Sequence, residues 1–131
     1  MSESLGLVAQ DPRELGALED AVQHALGHAR SLGATAADAS MSTSTGQAVT
    51  VRLGEVETIE HTRDQGLGIT VYFGDRKGSA STTDISPGAI EETAAAACSI
   101  ARYTAEDDCA GLADAALMAT ELPDLDLYHP W

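Results

Sequence analysis

The sequence is short of aromatic residues, of basic residues and of cysteine, and each shortage narrows what the chain can be. Aromatics make up 4% of its 131 residues although 44% are hydrophobic. A core must therefore come from Ala, Val, Leu and Ile brought close together, with few large anchors. Lys and Arg number 7 against 21 Asp and Glu, for a formal net charge of −14, and Lys77 is the sole lysine. A field of that sign repels phosphate backbones and anionic lipid surfaces, which argues against nucleic acid and membrane as partners. No apolar run approaches the length of a membrane span. The opening MSESLGLVAQDPRE lacks the basic and apolar segments of a signal peptide, so a cytoplasmic protein is expected. The two cysteines, Cys98 and Cys109, form no CxxC pair. Free thiols are expected, with Cys98 buried on a helix.

The length suits one domain. Residues 1–10 read as a flexible leader, 11–121 as an α+β domain, and 122–131 as the start of a linker to a further carboxy-terminal domain, because LPDLDLYHPW is an adhesive, extended ending. Asp11 and Pro12 suit a helix start, with Glu14 at capping-box spacing. Leu15, Leu18, Val22, Ala25, Leu26, Ala29 and Leu32 then recur at three- and four-residue steps, which predicts a helix over 12–32 with Gly33 at its exit.

From Ala36 the period falls to two. Alternation around Ala37–Met41, Val49–Leu53, Val56–His61 and Leu67–Phe73, followed by Ser79–Thr83, predicts about four or five antiparallel strands. In this reading Gly46 punctuates, Leu53-Gly54-Glu55 is a turn, Thr62–Gln65 is a polar connection, and 74–78 turns the chain again. Ser86 and Pro87 open a second helix ending near Tyr103, with Ile90, Ala94, Ala97 and Ala101 on one face. Asp114–Thr120 has room for a further helical turn or two. The expected order is α-β-β-β-β-α, with helices packed on one sheet face.

No constellation of residues announces catalysis. His24 and His28 stand i, i+4 with Asp20 a turn earlier, but HALGH lacks the glutamate of HExxH, so a solvated helix face is preferred to a metal site. Gly66-Leu67-Gly68 precedes a strand and does not bridge a strand to a helix, so it is no dinucleotide loop. Serine and threonine abound between Ser31 and Thr93, yet none sits in GxSxG. Glu106-Asp107-Asp108 lacks the ligand spacing of a calcium loop. The charge crowded into Glu55, Glu57, Glu60, His61, Arg63 and Asp64 suits a wet sheet face with cross-strand pairs. Arg52, Glu57 and Arg63 are the candidates for contacting a substrate or partner.

At GLGITVYFGDRKGSAST, with VTVRLGEVETIEHTRDQ before it, ARYTAEDDCAGLAD after it and the tail PDLDLYHPW, the chain resembles the amino-terminal domain of the TldD/PmbA family, closer to the PmbA (TldE) branch. That resemblance implies cytosolic proteins known as zinc metallopeptidases and as modulators of DNA gyrase. It also implies a heterodimeric protease, formed with a TldD-like subunit, that processes or degrades small unfolded peptides. The family's metal motif, HExxxH, lies beyond the amino-terminal domain on the TldD branch and does not occur in this sequence. The resemblance therefore assigns zinc to the partner branch, and no catalytic residue, metal ligand or cofactor to this chain, which is expected to be inactive alone. Its partner would be the TldD-like subunit or a second copy of itself. The alternative is a purely structural assembly module that binds no peptide.

Overall fold

A computed structural model of the chain describes residues 12–121 and 123–125. The expected leader, the Asp11 cap, the side chains of Glu14 and Leu15, and most of the 122–131 segment lie outside the described residues. Helix α1 (Pro12–Ser31) is followed by strands β1 (Ala36–Arg52), β2 (Glu55–Phe73) and β3 (Arg76–Thr82), then helix α2 (Pro87–Tyr103) and a 3₁₀ turn at Ala115–Leu117. The sheet is antiparallel in the order β1-β2-β3. The α+β class and the two helices match expectation, and three strands replace the expected four or five among the described residues.

The difference has a physical cause. Strand β1 joins the two expected strands on either side of Gly46, and β2 joins those on either side of Thr62–Gln65. The ladder runs unbroken from Ala36↔Tyr72 to Thr50↔Thr58, with Gly46 opposite Thr62. Polar residues in the middle of these strands suggested a connection. They mark instead a ribbon with water on both faces, because Ser42–Arg52 and Glu55–Asp64 are exposed throughout.

Local chemistry closes each end. Gly33 takes φ 92°, its N–H donates to the Arg30 carbonyl, and the Ala34 N–H donates to Ala29. This is the paired C-terminal motif that only a left-handed residue completes easily. Pro87 begins α2 and Ser86 occupies the cap position, but the Ser86 side chain makes no capping bond. The Ser86 N–H donates instead to Asp84 Oδ1 at 2.9 Å, and that bond holds the Asp84 carboxyl below its ordinary range.

One face of the sheet carries the core. Leu67, Ile69 and Val71 of β2 meet Ala25 and Ala29 of α1 and Ile90, Ala94, Ala97, Cys98 and Ala101 of α2. Small residues on α2 let it reach the backbone of β3. A Cβ placed on Gly78 would collide with the Ala97 carbonyl and the Ala101 amide. Gly78 therefore belongs to strand β3, opposite Val71, and not to the turn expected over 74–78. The turn is confined to Gly74 (φ 60°) and Asp75.

Arg102 fastens the end of the sheet nearest the helix termini. Its guanidinium lies 5.1 Å from the Phe73 ring centroid and donates to the Leu32 carbonyl at 2.7 Å. Arg76 donates to the Arg102 carbonyl at 3.1 Å and to Glu106 at 3.2 Å.

Two outcomes follow for stability and reactivity. Gly78→Ala should destabilise the domain by about 3 kcal/mol, because neither backbone can yield easily. Gly88→Ala, which adds a Cβ into open space, should be neutral or stabilise by about 0.5 kcal/mol. Thermal denaturation of the two variants side by side checks this. Cys98 is buried, and burial pushes its thiol up from the ordinary range, whereas Cys109 is exposed. A maleimide should label Cys109 rapidly in the native protein and Cys98 only on unfolding, as read by mass spectrometry.

Candidate functional site

Beyond Met41 and Gln65 the β1–β2 ladder leaves the core and continues as a two-stranded arm about 33 Å long. Its register keeps the two sheet faces distinct. Odd-numbered β1 residues share the helix-covered face, where Ala37, Ala39 and Met41 oppose Val71, Ile69 and Leu67. Along the arm that face turns polar through Thr43, Thr45 and Gln47, opposite Gln65, Arg63 and His61. It becomes apolar again at the pairs Val49↔Ile59 and Val51↔Val56. Those four side chains are 51–60% exposed. Leu53, 98% exposed, caps the tip.

The tip is also strained. Leu53 and Gly54 take φ 53° and 86°, the left-handed pair that a two-residue hairpin turn requires. Gly is free there, but a leucine held left-handed costs about 1–2 kcal/mol. The tip thus combines an apolar, fully exposed side chain with a costly backbone conformation.

The structure brings together two of the three sequence candidates. Arg52 Nη1 lies 3.4 Å from Glu57 Oε1. Glu57 is the residue left unopposed by the register shift at Thr50/Val51. With side chains 73% and 45% exposed, the pair contributes at most about 1 kcal/mol. Arg63 stands on the same strand opposite Thr45, about 20 Å from Glu57. The apolar tip was the feature sequence reasoning missed. Its period-two alternation reads the same in a buried strand as in an exposed one, and only the lack of a covering element among the described residues separates the two.

Elsewhere the polar groups are structural. His24 Nε2 is 3.1 Å from Glu91 Oε1, tying α1 to α2 across their exposed sides. Glu106 pairs with Arg76, and the Asp107 carboxylate accepts from the Cys109 N–H at 2.9 Å. The sheet face opposite the helices holds a shallow depression lined by Ser40, Ser42, Gly66, Gly68 and Ser81 with no acid or base among its walls. Among the described residues no three His, Cys, Asp or Glu side chains come together as a metal-binding group.

Among the described residues neither outer edge of the arm pairs with a further strand. Among the described residues β2 pairs with β3 only from Leu67 to Phe73, so Glu55–Gly66 pairs on one side alone. That edge carries Glu55, Glu57, Glu60 and Asp64 against Arg63, an acidic border.

Comparison with known proteins places this arrangement. The family model PmbA/TldA metallopeptidase domain 1 matches residues 37–101, which contain the sheet and nearly all of α2. Metalloprotease PmbA of Escherichia coli O157:H7 is 48% identical over 130 residues, covering 99% of this chain and 29% of that protein. The metalloprotease PmbA homolog of Haemophilus influenzae is 48% identical over 112 residues, 86% of this chain and 25% of that protein. The chain thus spans less than a third of the length of these curated relatives. The crystal structure of a "putative modulator of DNA gyrase" from Bacteroides thetaiotaomicron superposes with TM-score 0.74 at 26% identity, over 84% of this chain and 25% of that one. TldE from Thermococcus kodakarensis shares the fold, with TM-score 0.56 at 16% identity, over 70% of this chain and 20% of that one.

Replacing Leu53 by Asn, which tolerates the left-handed region, should stabilise the turn by about 1 kcal/mol. Amide hydrogen exchange at Val51 and Val56 should slow accordingly, while α2 should be unaffected.

Proposed function

The chain belongs to the PmbA/TldA metallopeptidase family, matching its first domain, and from that membership we propose that it is a non-catalytic domain of a PmbA-like subunit. In this reading it serves a zinc-dependent protease complex that processes small unfolded peptides, with the metal on a TldD-like partner. The domain supplies scaffold and partner contact and docks an extended peptide. Cytoplasmic action is part of the same reading. Among the described residues no helix is long and apolar enough to cross a membrane.

The observation that carries the proposal is the free, acid-bordered edge of β2 over Glu55–Gly66. Strand addition there uses main-chain hydrogen bonds and so makes little demand on peptide sequence, which suits a protease of unfolded substrates. Acidic side chains favour basic peptides and repel acidic ones. The second reading is a pure assembly module, and the exposed apolar tip supports it, because such a patch suits protein contact as well as it suits peptide contact.

The two readings separate in the intact complex of the full-length subunits. A photoreactive residue at Glu60 should crosslink an extended basic peptide. Glu57→Lys with Glu60→Lys should weaken that peptide about tenfold, the size of effect given by altered complementary charge, and leave subunit assembly intact. Crosslinks found only elsewhere, or loss of assembly with unchanged peptide affinity, would favour the assembly module.

A further inference from the structure

The end of the sheet away from the arm holds a polar cluster that peptide docking does not use. After α2 the chain passes the β2–β3 turn as an irregular segment, Thr104–Ala110. From Thr104 to Cys109 it is exposed throughout, so burial does little to hold it in place. Polar bonds hold it instead, and they converge on two adjacent residues, Asp75 and Arg76. The Asp107 N–H donates to the Asp75 carbonyl at 2.9 Å. Arg76 divides its guanidinium between two acceptors, giving Nη1 to the Arg102 carbonyl at 3.1 Å and Nη2 to Glu106 Oε1 at 3.2 Å. The segment then turns on Asp107 itself. Its carboxylate accepts from the Cys109 N–H at 2.9 Å, and its carbonyl accepts from the Ala110 N–H at 2.8 Å.

Charge around this contact is unevenly shared. Asp75 lies on one side of it and Glu106, Asp107 and Asp108 on the other. Arg102 is engaged elsewhere, on the Phe73 ring and the Leu32 carbonyl. Arg76 is therefore the group that offsets these carboxylates. Without its charge they repel one another across the contact, and the Asp107–Asp75 bond must close the loop with little help against the entropy of ordering it. Bonds that depend on one another in this way break together as a local unit. The last turn of α2 belongs to the same unit, because Arg76 also holds the Arg102 carbonyl there. In that turn the Thr104 N–H reaches back to the Ile100 carbonyl at 3.0 Å.

We propose that Thr104–Ala110 is a strap latched to the β2–β3 turn by Arg76. The strap opens and closes as one unit without unfolding the core, and so sets the direction in which the residues after Ala110 leave the domain. The latch lies at the opposite end of β2 from Glu55–Gly66, and it stands or falls apart from peptide docking.

Native-state amide hydrogen exchange of the 131-residue chain tests it. The amides of Thr104, Asp107, Cys109 and Ala110 should exchange through one shared opening, faster than those of Ala94 and Ala97 in the core. Arg76→Met removes the charge and both donated bonds, and should speed those four amides together by about tenfold, the effect of losing charge-assisted hydrogen bonds at a surface. Arg76 sits in a strand, so Glu106→Lys provides a second variant at a side chain that is 68% exposed. A cation there repels Arg76 and should speed the same four amides about fivefold. In both variants Ala94 and Ala97 should keep their wild-type rates. The proposal is overturned if the four amides respond to different degrees, if Ala94 and Ala97 speed up in step with them, or if either substitution leaves them unmoved.

Discussion

The closeness of α2 to β3 at Gly78 governs the rest of the structure. A helix and a strand meet at backbone distance because Gly78 has no side chain and Ala94, Ala97 and Ala101 present almost none. Large side chains are unnecessary in so thin a layer. The largest fully buried ones are Leu67, Val71 and Cys98, which is how a chain with 4% aromatic residues builds a core. Arg102 secures the same junction from its end, stacking on Phe73 and holding the Leu32 carbonyl beyond the end of α1.

A thin core covers only part of the strands. Strands of 17 and 19 residues are far longer than two helices packed at one end can shelter, so half of the hairpin stands in water on both faces. An isolated two-stranded ribbon is at best marginally stable. The two edges of the arm differ in charge. The β2 edge is bordered by carboxylates and the β1 edge by Ser, Thr, Ala and Val.

Helices were legible because their signals are local. Of the stripe that runs from Leu15 to Leu32, Ala25 and Ala29 lie in the core and Leu32 packs against it; Gly33 and Pro87 mark a helix end and a helix start, and Ala94, Ala97 and Ala101 face the sheet as their spacing required. Strand boundaries were less legible. Gly46 and Thr62–Gln65 look like breaks because polarity and glycine usually accompany turns, whereas here they mark the part of a continuous ladder that leaves the core. Gly78 misled in the same way, since a glycine for close approach and a glycine for a turn are the same letter. Of the candidate residues, Arg52 and Glu57 did converge, through a bulge that no spacing rule announces, and Arg63 did not join them.

What the sequence determined alone was the α+β class, the two helices, the alternating faces of the strands, the acidic field, and the family, carried by GLGITVYFGDRKGSAST and its flanks. All of these depend on residues near one another in the chain or on sums over it. Tertiary structure decided which alternating stretches are buried and which are bare. That depends on where α1 and α2 come to rest, a property of packing between distant segments: the same period-two apolar alternation becomes core under a helix, at Leu67, Ile69 and Val71, and stays exposed beyond its end, at Val49 and Val51.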